Sequence, residues 1–238
     1  MKNKFDLLSM EIEIDDRDWG EDWKKQKDYS IGPVNADVEI VFRNQRDRLL
    51  DFIDKHECLL GAVAWFTDHK IINALQNKMV SIVLQKEDFL RPDSSNKEDL
   101  RKAYENIPSR LRRPELPVLG HMLSVAHDET VSPFRCVGNY NSEKSPAMPR
   151  MHNKFLIGCR YVEATNNDWL GGDIIPQAVW TGSYNFSFPA QKSFENAIII
   201  HNSQVAEAYA KEFSQIFAFS EPLDWNAEWV APEYRIGT

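Results

Sequence analysis

Apolar and polar residues alternate in short, well-separated segments along the first third of the chain. Strict alternation predicts a half-buried strand, whereas apolar residues three or four apart predict an amphipathic helix. The expected elements are a strand at 36–42 (ADVEIVF), a helix at 45–55, a strand at 57–66 (ECLLGAVAWF), a helix from Asp68 to about 77 and a strand at 80–84 (VSIVL). This succession predicts a layered α/β fold with crossover connections between strands.

The same reading of the second half predicts further strands with two helices. The expected elements are a helix at 96–106, strands at 134–138, 151–159, 178–181 and 196–201, and a helix at 205–217. Prolines, serines and asparagines predict an exposed loop at 139–150. Residues 160–177 are polar and contain glycine, and they predict an irregular connection. The fold class is therefore α/β, with a central mixed sheet flanked by helices.

Changes in periodicity divide the chain into three parts. We expect a peripheral arm at 1–33, a catalytic domain at 34–220 and a C-terminal tail at 221–238. Two segments, about 86–134 and about 160–177, are expected to be inserts in the domain. The arm or the tail could contact a further protein partner.

Composition restricts the class of protein. The chain of 238 residues is 42% hydrophobic and 27% charged, which is typical of a folded domain. It has no apolar run as long as a membrane span and no signal-peptide core, so we expect a cytoplasmic protein without membrane contact. The three cysteines, Cys58, Cys136 and Cys159, lie in apolar surroundings and are expected to be buried thiols.

Charge is distributed unevenly around a net value of −8. Residues 101–113 (RKAYENIPSRLRR) hold five basic residues and one acidic residue, which makes Arg110, Arg112 and Arg113 candidates for contacts with a phosphate backbone. An ordinary solvated helix and turn explains the same pattern equally well.

Three stretches at predicted strand ends carry groups suited to phosphate chemistry: 151–157 (MHNKFLI), 180–187 (WTGSYNFS) and 194–200 (FENAIII). The imidazole of His152 can act as a nucleophile or proton carrier near neutral pH. Lysine, asparagine, serine and a backbone N–H beside glycine are hydrogen-bond donors for phosphoryl oxygens. A carboxylate can fix the tautomer of an imidazole. No cluster of acidic residues indicates a metal site, and no cofactor is expected.

In these stretches the sequence resembles the phospholipase D superfamily, whose hallmark is H-x-K followed by an Asp and by G-S-x-N. His152 and Lys154 match H-x-K, and Gly182, Ser183 and Asn185 match G-S-x-N. Glu195, followed by Asn196 before an isoleucine strand, is similar to the single-motif nucleases of that superfamily. The resemblance spans roughly 36–84 and 134–217, and implies a phospholipase D-like layered fold.

The chain departs from the family pattern in one place. The family Asp lies five residues after the lysine, where this chain has Cys159. Asp168 and Asp173 lie nearby but do not keep the spacing. Because the family Asp is read as structural, its absence weakens the motif match more than it weakens the chemistry.

The resemblance implies a metal-independent mechanism. His152 would attack phosphorus to form a phosphohistidine, Lys154 and Asn185 would hold the non-bridging oxygens with help from Ser183, and Glu195 would orient His152. A second histidine would protonate the leaving oxygen. Because the chain contains one H-x-K only, we expect a homodimer that joins two half-sites across a two-fold axis.

Three functions remain open from the sequence. The first is a nuclease that cleaves DNA or RNA, the second is a phospholipase or phosphatidyl transferase, and the third is a catalytically silent module of the same fold that binds nucleic acid or serves assembly. Five further residues are expected to have packing or surface roles: His121, His127, His201, Trp225 and Trp229.

Overall fold

A computed structural model of the chain describes residues 31, 34–86, 98–112, 130–138, 150–163 and 172–223. Several predictions lie outside these residues: those for positions 1–30, for the loop at 139–149, and for Arg113, His121, His127, Asp168, Trp225 and Trp229. No helix in the described part is long and apolar enough to cross a membrane.

Eight strands and four helices make up the described structure. The strands are β1 (Asp37–Val41), β2 (Cys58–Val63), β3 (Met79–Gln85), β4 (Phe134–Val137), β5 (Lys154–Val162), β6 (Asp173–Gly182), β7 (Ala197–His201) and β8 (Glu221–Pro222). The helices are α1 (Gln45–Asp54), α2 (His69–Ala74), α3 (Glu98–Glu105) and α4 (Ser203–Ala218). A short 3-10 helix, Pro189–Lys192, lies between β6 and β7.

The strands form one mixed sheet in the order β1-β7-β6-β5-β2-β3-β4-β8. Strands β2, β3 and β4 run parallel, whereas β5, β6, β7 and β1 alternate in direction, each antiparallel to its neighbour. This arrangement confirms the predicted α/β class with a central mixed sheet. The last strand, β8, pairs with β4, so the sheet includes residues just beyond position 220.

Helices cover both faces of the sheet, which explains why the central strands are apolar almost throughout. In β2, Leu59 and Val63 pack into the core shared with α1, α2 and α3, whereas Leu60 and Ala62 pack into the core beneath α4. The alternation of side chains along a strand produces this division. Helix α3, which lies within the predicted insert at 86–134, contributes Leu100 and Tyr104 to the first core.

The predicted N-terminal cap of α2 is confirmed, because the Asp68 carboxylate accepts a hydrogen bond of 2.9 Å from the backbone N–H of Lys70. The buried state of Cys58, Cys136 and Cys159 is also as predicted.

The sequence predicted an irregular connection at 160–177, and this was wrong because residues at both ends of that range belong to strands. Strand β5 continues to Val162 and β6 begins at Asp173, and the two pair through Arg160↔Ile175 and Tyr161↔Ile174. The polar character of these residues has a physical reason. One side of this strand pair faces solvent, because Arg160, Val162 and Asp173 are exposed while Ile174 is buried in the core beneath α4.

Candidate active site

The three predicted motif stretches meet at one edge of the sheet. The register places Val63 opposite Lys154, Phe155 opposite Thr181, and Gly182 opposite Ala197. The ends of β2 and β6 therefore lie beside the starts of β5 and β7. We call this side of the molecule the motif edge, comprising residues 64–68, 152–154, 182–188 and 194–196, with residues 42–45 at its flank.

His152 and Lys154 begin the motif edge. His152 is exposed just before β5, and Lys154, the first residue of the strand, is buried with 8% of its surface accessible. The Lys154 ammonium donates a hydrogen bond of 3.0 Å to the His152 carbonyl. The carbonyl of Asn153 accepts a bond of 2.8 Å from the N–H of Ala64, which fastens the segment to the end of β2.

The electrostatic environment favours a neutral imidazole. Partial burial, and then the positive charges of Lys154 and Arg150, lower the pKa of His152 from its usual value. Burial also lowers the pKa of Lys154, while the Glu195 carboxylate opposes that change. A neutral imidazole is the form that can act as a nucleophile.

The alternating burial of residues 183–186 explains the spacing of the second motif, G-S-x-N. Ser183 is exposed and Asn185 half-buried, whereas the intervening Tyr184 and the following Phe186 are buried in the core. Two apolar anchors thus hold two polar groups at the edge. The Asn185 side-chain Oδ1 is buried without a hydrogen-bond partner among the described residues, as is Ser81 Oγ in β3.

Gly182 permits a close approach between β6 and β7. A Cβ atom built at this position would lie 2.2 Å from the carbonyl oxygen of Asn196. The neighbouring Ser183 N–H donates a bond of 2.9 Å to that same carbonyl. Any larger residue would therefore push the Ser183 segment away from the start of β7.

Glu195 is held next to Ser183. The Ser183 hydroxyl donates a short hydrogen bond to the Glu195 carboxylate and accepts one of 3.0 Å from the N–H of Asn196. The Gln45 amide donates to the Glu195 carbonyl at 2.9 Å. No hydrogen bond joins Glu195 to His152 within the described residues, so the role of Glu195 in orienting His152 stays a prediction.

Two supporting residues had signals too weak to identify from the sequence. Asp68, predicted only as a helix cap, also accepts a bond of 2.5 Å from Gln191, which ties the 3-10 helix to α2. Gln45 joins the turn after β1 to Glu195, because its amide also donates to the Phe42 carbonyl at 2.9 Å. The bond from Gln191 to Asp68 and the bond from Gln45 to Glu195 each link residues more than 100 positions apart, so local sequence patterns carry no information about them.

Arg110, one of the basic residues proposed for substrate contact, does not lie at the motif edge. Arg110 donates to the Gln76 carbonyl at 3.4 Å and lines an open cavity of about 510 Å³ together with Glu57, Lys78 and Tyr161. Glu57 precedes β2, so this cavity lies at the other end of a strand about 20 Å long. The backbone of Arg112 pairs with Thr130, and Arg113 lies outside the described residues.

The position of the missing family Asp is also remote from the motif edge. Cys159 is fully buried in β5 opposite Cys58, five residues or about 16 Å along the strand from Lys154. Asp173 lies further along, opposite Val162. Neither residue can contact the His152 imidazole from such positions. His201 lies at the end of β7, with its Nε2 atom 2.7 Å from Glu39 Oε1.

Among the described residues, no group of three or more His, Cys, Asp or Glu side chains is arranged to hold a metal ion. The donors gathered at the motif edge are instead an ammonium, a hydroxyl and an amide, which suit the oxygens of a phosphate.

Comparisons with known proteins find relatives in sequence and in fold. No protein-family model matches the chain. It is 28% identical over 221 residues to the uncharacterised protein L381 of Acanthamoeba polyphaga mimivirus, and the match covers 85% of this chain and 73% of that protein.

The fold is similar to those of phospholipase D family proteins. Nuc from Salmonella typhimurium, a phospholipase D family member, matches 79% of this chain and 97% of its own with 19% identity and a TM-score of 0.48. NucT from Helicobacter pylori matches 79% and 99% with 13% identity and a TM-score of 0.47. Phosphatidylserine synthase from Haemophilus influenzae Rd KW20 matches 85% and 41% with 15% identity and a TM-score of 0.43. These likenesses concern the fold alone, and what the motif edge can do follows from its own residues.

Proposed function

We propose that this chain is a phospholipase D-like phosphodiesterase that cleaves DNA or RNA through a covalent histidine intermediate, without a metal ion. The observation that carries the proposal is the convergence of His152, Lys154, Ser183, Asn185 and Glu195 on one edge of the sheet from three separate stretches of sequence. A nucleophile and a set of preset donors at one place are what phosphoryl transfer requires.

In the first step, a neutral His152 nitrogen forms a bond to phosphorus as the ester bond to the leaving oxygen breaks. Lys154 and Asn185 hold the non-bridging oxygens, where charge increases in the transition state. The bond from Ser183 keeps Glu195 close to Lys154, so that the carboxylate maintains the ammonium in its charged form. Ser183 thus acts on Glu195 and, through it, on Lys154.

A second imidazole completes the proposed reaction. As an imidazolium it gives a proton to the leaving oxygen, and as the resulting neutral imidazole it takes one from the water that attacks the phosphohistidine and releases His152. Because the chain has one H-x-K only, we assign this role to His152 of a second copy in a two-fold homodimer.

The function is tested by incubating the full chain with plasmid, single-stranded DNA, RNA and phosphatidylcholine vesicles in EDTA. We expect nucleic-acid cleavage that survives EDTA and falls about 1,000-fold or more in His152→Ala. His201→Ala is the matched control, because it removes a histidine that lies at the far end of β7. Turnover of lipid alone would show a phospholipase, and turnover of nothing would show a silent module.

The covalent step has its own readout. A substrate with radiolabelled phosphorus is expected to leave an acid-labile label on the wild-type chain after denaturation, and none on His152→Ala. Cleavage without any trapped label, together with activity that depends on added metal, would contradict the mechanism.

The shared site is tested by mixing chains. Dimers of wild-type and His152→Ala chains hold one imidazole where two are needed, so their activity is expected to fall close to that of the variant. Full activity in a chain shown to be monomeric by light scattering would contradict the shared site.

A further inference from the structure

The motif edge collects the exposed aromatic side chains of the described structure. Nine large hydrophobic residues are exposed among the described residues of the whole structure, and four of them are aromatic. All four aromatic residues lie in loops of the motif edge or its flank, with exposed fractions of 59% for Phe42, 46% for Trp65, 56% for Phe188 and 94% for Phe194. The aliphatic members lie along β1, β5 and β6 or before β1.

The loops that carry these aromatic residues are fixed by the same contacts that build the site. The Trp65 carbonyl accepts a bond of 3.0 Å from the N–H of Phe186, next to Asn185. Phe194 immediately precedes Glu195, whose carbonyl shares the Gln45 amide with the carbonyl of Phe42. These contacts hold the main chain at Phe42, Trp65 and Phe194 next to the phosphate-handling residues.

Two cations lie over two of the rings. The Arg43 guanidinium carbon is 5.6 Å from the centre of the Phe194 ring, and the Lys192 ammonium is 4.9 Å from the centre of the Phe188 ring. These distances are within the range of cation–π contacts. The Arg43 side chain also donates a bond of 2.7 Å to the Phe42 carbonyl, so it links the flank to the Phe194 loop.

We propose that Phe188 and Phe194, with Lys192 and Arg43 beside them, form a stacking platform that holds unpaired bases next to the phosphate to be cleaved. This inference rests on the proposed phosphodiesterase function for the place of the phosphate. Exposed aromatic faces next to cations are the usual means of binding single-stranded nucleic acid without reading its sequence. In a duplex the base faces are covered by neighbouring base pairs, so the platform selects single strands.

Other occupants fit the same surface less well. A loop that inserts into lipid would carry Gln191, Lys192 and Glu195 with it, and burying such groups is costly. The two-fold contact of the proposed homodimer joins the two His152 half-sites, and the centre of such an interface is usually depleted of lysine, whereas Lys192 lies over the Phe188 ring.

Binding measured without cleavage separates this inference from the proposed function. In the His152→Ala background of the full chain, anisotropy would give the dissociation constants of a labelled single strand of about 12 nucleotides, its duplex and an abasic strand of equal length. We expect Phe188→Ala and Phe194→Ala each to weaken single-strand binding about five- to fifty-fold, with little change for the other two ligands.

Salt dependence distinguishes stacking from charge. The aromatic variants are expected to leave the slope of log K against log salt unchanged, whereas Lys192→Gln lowers it by about one if Lys192 contacts a phosphate. Phe194→Trp retains a stacking face and should restore affinity. Ile175→Ala is the matched control, because it removes an exposed apolar side chain from the body of β6.

Two binding results would overturn the platform: single-strand affinity that is unchanged in both alanine variants, or affinity that falls equally for all three ligands. A lipid-binding role would be shown if the alanine variants lost binding to phosphatidylcholine vesicles and kept single-strand affinity. A dimer-interface role would be shown if the variants changed from dimer to monomer and lost affinity for every ligand at once. If one of these results overturns the platform while the wild-type chain still forms the trapped phosphohistidine, the proposed function stands. An intact platform with no cleavage by the wild-type chain would instead contradict the proposed function alone.

Discussion

A histidine lies at each end of the central strands, and the two show how differently one residue type can be used. His152 precedes β5 at the motif edge, and His56 precedes β2 at the opposite edge. Burial is the first cause that lowers the pKa of each. The surroundings differ, because His152 is exposed beside Lys154 and Arg150, whereas the His56 ring packs on Phe52 and Gly158 and bonds to the Phe52 carbonyl.

The comparison teaches that a lowered pKa does not by itself identify a reactive histidine. His56 has its hydrogen bond and its packing satisfied inside the chain, so its neutral form serves the fold. His152 is exposed, so its neutral form is available to a substrate. The predictions below test whether chemistry belongs to one edge and stability to the other.

After the loss of His152 itself, the largest expected effect comes from removing the ammonium at the motif edge. Lys154→Gln should lower kcat about 100- to 1,000-fold, because a charged donor to the phosphoryl oxygens is lost. Lys78→Gln is a matched control, since each lysine donates to a backbone carbonyl, Lys154 to His152 and Lys78 to Asp54 at the opposite edge. Equal losses of activity in both variants at equal stability would remove the distinction between the edges.

The next effect concerns stability at the opposite edge. A Cβ at position 158 would lie 2.5 Å from the His56 ring, so Gly158→Ala should lower the free energy of unfolding by about 1–3 kcal/mol while leaving kcat unchanged. Denaturant unfolding measures the change. The double variant Gly158→Ala, His56→Ala should show strong non-additivity, because the clash disappears with the ring. Additive losses would mean that the ring is not what limits the space.

A smaller effect is expected from the hydroxyl that holds Glu195. Ser183→Ala removes the bond to the Glu195 carboxylate and the acceptor for the Asn196 N–H, which should cost about 1 kcal/mol of stability. If Glu195 helps to keep Lys154 charged, kcat should fall about tenfold and the basic limb of the pH profile should move to lower pH. An unchanged basic limb would contradict a route through Lys154.

The smallest effect is the dependence of stability on pH. The pKa of His56 in the folded chain lies below its unfolded value of about 6.5. Below pH 6.5 the unfolded chain therefore binds more protons at this residue than the folded chain does, which favours unfolding. The His56 contribution to stability is therefore complete above pH 6.5 and decreases toward the lower folded pKa. Unfolding midpoints between pH 5 and 8 should show this slope, and His56→Gln should reduce it. Both imidazoles should titrate below 6.5 in an NMR titration.

Much of the fold follows from local patterns. The helix at 45–55 ended within one residue of α1, and the strands at 80–84 and 196–201 each lie within a residue of β3 and β7. Buried strands with apolar residues on both faces carry a strong signal. The pairing of 160–162 with 173–175 was missed because exposed polar residues such as Arg160 and Asp173 interrupt the apolar pattern there.

The sequence by itself determined the kinds of group at the candidate site, because H-x-K and G-S-x-N place an imidazole, an ammonium, a hydroxyl and an amide at the ends of apolar strands. Only the tertiary structure decided which of the polar residues meet. Antiparallel pairing of β5, β6 and β7 brings Lys154, Ser183 and Glu195 to one edge, while the parallel crossover from β2 to β3 leaves Arg110 at the other. Strand direction is a property of non-local pairing, and no local spacing encodes it.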